Sequence, residues 1–448
     1  MNEVVAAAIE AALAAGAGDA EAFATEAGER EVRVHGGEVE SLTAATQRGI
    51  GLRAWIGNRV GFAFGTDLGE PGVAELARRA VEAARAGDED EFAGPPDPSG
   101  EHPRLEGLHD SSVDEWSTER AIELAFEVER EALACDDRVQ GVETAVYADS
   151  SERVWIATST GIAGEFEASS CYAYTQALAR GDDGTETGLG FDLARGPAAL
   201  DAAAAGREAG LRATAMIGAG KPESRTCPVV LDPTVAASFA GLIGDSLGAD
   251  SVQRGRSPFA ERLGEAVGSA ALSLHDDGID PGGPASAPFD GEGVSRRRTP
   301  LIEAGTLRTY LHDTYTARRA GETSTGSAGR EGYRGLPRVS TSNLVIAAGE
   351  LGEDELLAEA GEGVYVTDVA GLHSGVNPVT GVFSVGASGR AIRGGELAEP
   401  VREFTIASDL VSMLGAVRAT GADTRWVPFG GSVSTPPLLI GEMTVAGA

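Results

Sequence analysis

The side chains that most often bind metals or abstract protons are few in this sequence and widely scattered. None of the six histidines forms an H-x-x-x-H or H-E-x-x-H pair, the helical spacings that direct two imidazoles at one metal. The best local constellations place a histidine beside an aspartate, His275 in LHDDGID and His312 in LHDTYTARR. Such a pair could orient an imidazole for base catalysis or contribute to a metal site. A capped turn with a surface ion pair explains the same residues.

Other catalytic motifs are absent. The sequence has no G-x-S-x-G elbow and no Walker A motif, and its glycine-rich stretches are not framed by a strand and a helix as a phosphate-binding loop would be. The three cysteines have no C-x-x-C spacing. This pattern indicates reduced thiols and favours a cytoplasmic protein.

The segment VVLDPTVAASFAGLIGDS (229–246) predicts a strand that runs into a helix. Asp232 supplies a capping side chain, and Pro233 costs nothing in the first helical turn, where its missing N–H has no partner. Many enzymes place their chemistry at such a junction. The only polar side chains that the helix offers beyond its first turn are those of Ser238, Asp245 and Ser246.

Two glycine-rich loops of the second half carry candidate ligand contacts. STGSAGREGYRGLP (324–337) places Arg330 and Arg334 on either side of Tyr333. The guanidinium groups could bind a carboxylate and the ring could stack on a ligand, or the arginines could pair with acidic neighbours. Asn377, in HSGVNPVTGVFSVGASG (373–389), suits either backbone hydrogen bonding or a ligand.

The apolar pattern predicts an α+β protein. Its N-terminal α+β domain (1–217) combines antiparallel strands with flanking helices and has an acidic Pro/Gly loop at 87–107. A linker at 218–228 leads to a C-terminal domain (229–448) dominated by antiparallel sheet. Within the N-terminal domain, alternation with turns at 36–37 and 57–58 predicts a meander, and the opening segment favours an alanine-rich helix over a signal peptide.

The charge balance excludes some classes of partner. The formal net charge is −33, and Lys221 is the only lysine. Nucleic acid is excluded because phosphate binding needs the opposite field, and no apolar stretch is long enough to span a membrane. Acidic residues are spread along the whole chain. This distribution favours a halophilic protein, in which salt screens the repulsion between the charges. It disfavours an acidic surface that binds one basic partner.

Several of these segments together resemble the TldD/PmbA family, known also as modulators of DNA gyrase. The resemblance is carried by VVLDPTVAASFAGLIGDSLGADSVQRGRS, by the GREGYRGLP loop, by NPVTGVFSVGASGRAIRGGELAEPVREFTIASDLVSMLGAV and by the N-terminal meander, and it covers nearly the whole chain. It implies a metal-dependent peptidase assembled from a catalytic TldD chain and a sister chain, PmbA or TldE, that trims unfolded peptides.

The resemblance also implies where the metal helix lies. In the catalytic chain an H-E-x-x-x-H helix follows the strand, and its three ligand or base positions fall here at Gly241, Leu242 and Ser246. The family's C-terminal cysteine has no counterpart in GADTRWVPFGGSVSTPPLLI. Gly, Leu and Ser cannot replace imidazole as a zinc ligand or a carboxylate as a base. The match is therefore to the PmbA/TldE sister chain.

These observations predict a non-catalytic subunit with no metal or cofactor of its own, paired with a zinc-containing TldD-like chain and acting on unfolded peptide. Arg330, Tyr333, Arg334 and Asn377 are the expected contacts to peptide or partner. The alternative is a homodimeric protein that binds peptides or a toxin without hydrolysis. A third hypothesis, an independent enzyme, would use His275, His312 or His373.

Overall fold

The computed structural model describes residues 1–98, 100–182, 184–429 and 431–448. Its N-terminal half is built on one antiparallel sheet of strand order β3-β2-β1-β4-β5-β6. The strands are β1 (Asp19–His35), β2 (Glu38–Ile56), β3 (Arg59–Gly65), β4 (Val139–Thr158), β5 (Ala163–Gly181) and β6 (Gly184–Ala194). The helices are α1 (Asn2–Ala14), α2 (Glu70–Ala86), α3 (Ser112–Glu115), α4 (Thr118–Ala134) and α5 (Ala202–Ala215).

The predicted meander and its turns are confirmed. Gly36 and Gly37 join β1 to β2 with φ of 62° and 76°, the left-handed conformation that a two-residue hairpin turn requires. The alanine-rich opening segment is α1, which packs with α2 on the apolar cluster around Ile50 and Leu52. Helices α4 and α5 contribute to a second cluster on β4 and β5. The sheet is therefore covered by two helix pairs.

Strand β6 was not predicted from the sequence, because its glycines hide the alternation. Helix α5 lies so close to this strand that a Cβ on Gly188 would stand 2.2 Å from the amide nitrogen of Ala213. A Cβ on Gly190 would stand 2.1 Å from the carbonyl oxygen of Ala205. Glycine is thus required here by the close approach of the helix backbone.

The C-terminal half contains two six-stranded sheets, ordered β10-β9-β8-β13-β19-β18 and β16-β15-β14-β7-β20-β17, and a two-stranded β11-β12 ribbon. The strands are β7 (Arg225–Leu231), β8 (Leu274–Asp277), β9 (Arg298–Glu303), β10 (Thr306–Leu307), β11 (Ala328–Gly329), β12 (Arg338–Val339), β13 (Asn343–Ile346), β14 (Gly363–Ala370), β15 (Val382–Arg393), β16 (Glu396–Asp409), β17 (Val417–Thr420), β18 (Arg425–Val427), β19 (Ser432–Thr435) and β20 (Leu438–Ala446). The helices are α6 (Pro233–Ser246), α7 (Ala249–Gln253), α8 (Thr314–Ala320), α9 (Glu353–Ala360), α10 (Leu372–Gly375) and α11 (Leu410–Gly415).

The predicted α+β class with a sheet-rich C-terminal half is confirmed. Two strand pairs are parallel, β7 with β14 and β13 with β19, and the other neighbours in the two large sheets are antiparallel. Helix α6 contacts β7 and β14 of one sheet and β13, β18 and β19 of the other. One apolar cluster, which includes Phe239 and Ile243 of α6, joins these elements. The helix thus lies in the core of the C-terminal half.

The boundaries differ in detail from the sequence prediction. The described residues of segment 87–107 form neither helix nor strand, as expected of a loop rich in Pro and Gly. Strand β7 begins at Arg225, inside the predicted linker 218–228, because Arg225 and Thr226 pair with Val445 and Thr444 of β20. Among the helices described, none combines the length and apolar composition of a membrane span.

Candidate functional site

The helix that the sequence singled out, α6, starts as predicted. The Asp232 carboxylate accepts a hydrogen bond from the amide of Thr234 at 2.9 Å and one from Arg212 Nη2 at 3.1 Å. The Tyr365 hydroxyl donates to the same carboxylate at 3.4 Å. Burial and the nearby Asp232 charge raise the pKa of Tyr365. The polar groups at this helix end therefore hold α6 against α5 and β14.

The three positions at which the resemblance implies the family's metal helix offer no ligand set for zinc. Gly241 is buried and has no side chain, and Leu242 packs its half-buried side chain against the C-terminal core. The Ser246 hydroxyl donates to the carbonyl oxygen of Leu242 at 2.8 Å, a bond within its own helix. Zinc sites need three or four nitrogen, sulfur or carboxylate donors. The residues present do not fit the metal.

In the described part of the chain, one group of His, Cys, Asp and Glu side chains is close enough to share a metal ion, and it lies far along the chain from α6. It comprises His109, Asp114 and Glu167. His109 Nε2 lies 3.0 Å from the Asp114 carboxylate, and Glu167 also pairs with Arg153 at 3.2 Å. These contacts are those of an ion-pair cluster near the protein surface.

The two His-Asp motifs do not form catalytic pairs. His275 lies on β8 with its Nδ1 3.4 Å from Arg298 Nη2, and burial together with Arg298 lowers its pKa. The adjacent Asp276 accepts instead from the amide and hydroxyl of Ser342, at 2.7 and 2.8 Å. Asp313 caps α8 through the amide of Thr316 at 2.8 Å. Neither carboxylate orients the histidine beside it.

Arg330 joins the two halves of the molecule in a buried network of charges. Its Nη2 donates to Glu21 of β1 at 2.5 Å, and its side chain is 1% exposed. Arg53 of β2 donates to both Glu21 and Glu292. Burial alone would raise the pKa of Glu21, but Arg53 and Arg330 hold it below its usual value. Two arginines and two glutamates thus compensate one another at the junction.

Sequence reasoning missed Glu21, Arg53 and Glu292, which come from three distant segments. A usable signal did exist: Glu21 and Arg53 stand within the apolar runs AEAFA and LRAWI, at positions that the sheet buries. A charge at an inward position is rarely tolerated unless it is paired. The pairing itself could not be read from the sequence.

The remaining predicted contacts differ in exposure. Tyr333 is 3% exposed and lies against Gly49 of β2, whereas Arg334 is exposed and donates through Nε to the Tyr333 hydroxyl at 3.0 Å. Asn377 is exposed, and its side-chain oxygen accepts from the amides of Val379 and Thr380 at 2.9 and 3.1 Å. Asn377 therefore organises its own turn. Contacts of these residues with peptide or partner stay predictions.

A cavity of about 540 Å³ opens between the two halves of the chain. Two strands that end their sheets line it, β6 and β18. Tyr172, Phe191 and Trp426 provide aromatic surface, and Arg425 stacks over the Phe191 ring at 3.9 Å. Helix α6 packs against β18 and β19, and Pro428 and Gly431, which lie between these two strands, also line the cavity. The sequence did not reveal this cavity because its lining comes from separate domains.

With the fold and these positions established, comparison with known proteins assigns the class. The chain matches three family models: the PmbA/TldA metallopeptidase domain 1 at residues 20–84, the central domain at 111–217 and the C-terminal domain at 224–447. It belongs to the PmbA/TldD family of metallopeptidase-like proteins. The resemblance seen in the sequence is confirmed.

Individual relatives cover almost the whole chain. It is 29% identical to "Metalloprotease PmbA" of Escherichia coli O157:H7 over all of this chain and 96% of the relative. A crystal structure described as a modulator of a DNA gyrase from Thermotoga maritima superposes with a TM-score of 0.90 at 26% identity, covering 99% of both chains. TldE from Thermococcus kodakarensis shares the fold, with a TM-score of 0.91 at 22% identity over 99% of this chain and all of that one.

Proposed function

We propose that this chain is a non-catalytic PmbA/TldE-type subunit of a heteromeric TldD/TldE metallopeptidase that degrades or processes unfolded peptides. The observation that carries the proposal is the chemistry of α6. At the three metal-helix positions the chain has a hydrogen, an apolar side chain and a hydroxyl bonded within its own helix. Zinc and the activated water are supplied by the TldD-like partner, and this chain contributes binding surface.

The 540 Å³ cavity supports a role in peptide capture. Because β6 and β18 end their sheets, their outer backbone groups suit the addition of an extended strand. Main-chain hydrogen bonds of this kind hold a peptide without demanding a particular sequence. Aromatic surface from Tyr172 and Trp426 adds apolar contact for side chains. An unfolded peptide fits this lining better than a folded protein does.

Exposed apolar side chains support a partner surface at the predicted contacts. Leu336, two residues after Arg334, is 52% exposed, and Val379 and Val382 beside Asn377 are 49% and 55% exposed. Exposed apolar surface can mark a protein contact, and arginine is enriched at interfaces. We assign Arg334 and Asn377 to the contact with the TldD-like chain.

Reconstitution tests the proposal. The chain and a TldD-like partner carrying H-E-x-x-x-H are purified separately, and zinc content and casein or peptide cleavage are measured for each and for the mixture. We expect zinc in the partner, none held stoichiometrically by this chain, and cleavage by the mixture that is lost when the partner's first histidine is replaced. Zinc binding and peptide cleavage by this chain alone would contradict the proposal.

A variant pair tests the assigned surface. Arg334→Ala is expected to weaken association with the partner several-fold, because interface arginines combine charge with apolar contact. Arg254→Ala, at another exposed arginine, provides the matched control and should leave association unchanged. Recovery of this chain only as a homodimer, in salt high enough to screen its charge, would favour the binding-protein alternative.

A further inference from the structure

A second cavity, of about 210 Å³, lies between the two halves of the chain beside the buried charge network. Strands β1, β4 and β5 line one side of it, and segments 284–291 and 328–332 line the other. Phe23, Val154, Phe166 and Phe289 provide apolar surface. The volume is below the roughly 300–1,000 Å³ typical of sites for drug-sized ligands. The space suits a small metabolite rather than a peptide.

Two arginines that line this cavity, Arg330 and Arg296, have buried N–H groups without a hydrogen-bond partner in the described part of the chain. Nε and Nη1 of Arg330 have no hydrogen-bond partner among the described residues, while Nη2 is held by Glu21 and the guanidinium stacks over Phe23 at 4.4 Å. Arg296 likewise leaves Nε unbonded and donates through Nη1 to the carbonyl oxygen of Ala285 at 2.6 Å. Buried N–H groups without an acceptor are destabilising. Acceptor atoms of a ligand would satisfy them.

A carboxylate on the same lining is not neutralised by these arginines. Glu152 of β4 lines the cavity, and among the described residues it forms neither a hydrogen bond nor an ion pair. Burial raises its pKa. Asp290 also lines the cavity, but its two oxygens already accept from the amides of Glu292, Val294 and Ala328. Glu152 is therefore the acid available to a ligand.

We propose that this cavity binds a free α-amino acid with an apolar side chain. The α-carboxylate accepts hydrogen bonds from Arg330 and Arg296, and the α-ammonium group pairs with Glu152. The side chain lies against Phe166 and Phe289. A simple anion would leave Glu152 without a partner, and a simple cation would leave the arginine donors unsatisfied. A zwitterion meets both requirements at once, and the proposal does not depend on the peptidase role.

Calorimetric titration of the full chain tests this site. We expect L-leucine to bind at least tenfold more tightly than L-leucinamide, which lacks the carboxylate, and than 4-methylpentanoate, which lacks the ammonium group. A tenfold difference corresponds to about 1.4 kcal/mol. L-phenylalanine should bind as well, because the aromatic wall accepts either side chain.

Glu152→Gln is the informative variant, because Arg330 substitutions would also break the pair with Glu21. It should weaken L-leucine binding at least tenfold and leave the weak binding of 4-methylpentanoate unchanged. Glu143→Gln, at an exposed position of the same strand, is the matched control and should bind like the parent protein.

Three results would overturn the proposal: no binding heat with any amino acid, equal affinity for L-leucine and 4-methylpentanoate, or unchanged leucine affinity in Glu152→Gln. Because the measurement uses this chain alone and no cleavage assay, failure here leaves the peptidase-subunit proposal untouched.

Discussion

Tyr333 lies directly over Gly49, so that a Cβ on this glycine would stand 2.4 Å from the tyrosine ring. The neighbouring Gly51 receives the backbone of the same loop, since its Cβ would stand 2.3 Å from the carbonyl oxygen of Tyr333. Gly49 and Gly51 of β2 thus leave the space that a loop of the C-terminal domain occupies. The GREGYRGLP loop is therefore a domain contact as well as a recognisable family segment.

Gly49→Ala is expected to destabilise the protein by about 1–3 kcal/mol, the usual cost of inserting an atom into a packed contact. The ring has little room to withdraw because the loop backbone is seated on Gly51. Denaturant unfolding measures the change. Gly65→Ala on the adjacent strand, where a Cβ would meet nothing within 4 Å, should change stability by less than about 0.5 kcal/mol. Equal effects of the two variants would contradict the packing assignment.

Glu21→Gln is expected to cost about 3–5 kcal/mol, because it leaves Arg53 and Arg330 buried with one carboxylate too few. The free energy of unfolding from denaturant titration provides the measurement. Glu26→Gln is the control: Glu26 pairs with Arg48 on an exposed part of the same sheet, at 3.4 Å, and its loss should cost under about 1 kcal/mol. A loss of similar size in both variants would mean that the buried network is not the source of stability.

The same network predicts sensitivity to acid. The two arginines keep the pKa of Glu21 in the folded state below its ordinary value, so its contribution is present above the unfolded pKa of about 4.3. This contribution is lost as the pH falls further, through the lowered folded pKa. The stability difference between the parent protein and Glu21→Gln should therefore shrink below about pH 4. A difference that is constant down to about pH 2 would contradict this.

Asp276 predicts the opposite slope at higher pH. Burial raises its pKa to about 6, so the folded state retains a proton that the unfolded state releases near pH 4. Stability should fall as the pH rises from about 4 to 6, by on the order of 2–3 kcal/mol from this group. Asp276→Asn can still accept from the Ser342 amide through Oδ1 and can donate from Nδ2 to the Ser342 hydroxyl, and it should remove that fall. Asp423→Asn, at an exposed position, controls for the loss of one charge.

The net charge of −33 predicts stabilisation by salt. Raising KCl from 0.01 M to 1 M shortens the screening length from about 30 Å to about 3 Å, which weakens the repulsion among surface carboxylates. We expect the melting temperature to rise steadily over this range, as measured by calorimetry. A melting temperature that stays constant or falls with KCl would contradict the halophilic prediction.

Much of the architecture could be predicted because local pattern and final environment agree. The meander around Gly36-Gly37, helix α1 and the strand-to-helix junction at Asp232-Pro233 all follow from periodicity, turn residues and caps. Strand β6 could not be predicted, because Gly188 and Gly190 are required by the close packing of the α5 backbone against this strand, and α5 comes later in the chain. Likewise, the sequence suggested that His275 pairs with Asp276 and that His312 pairs with Asp313. In the structure each aspartate accepts hydrogen bonds from another residue instead.

The sequence by itself determined the family and the side chains present at positions 241, 242 and 246, because the identity of a side chain fixes whether it can donate to zinc. Only the tertiary structure decided where Arg330 and Glu152 stand. One nitrogen of Arg330 donates to Glu21, which lies 309 positions away along the chain. Arg330 also lines a cavity together with Glu152, a residue of another domain. Such relationships depend on how the two halves pack, and no spacing along the chain encodes that distance.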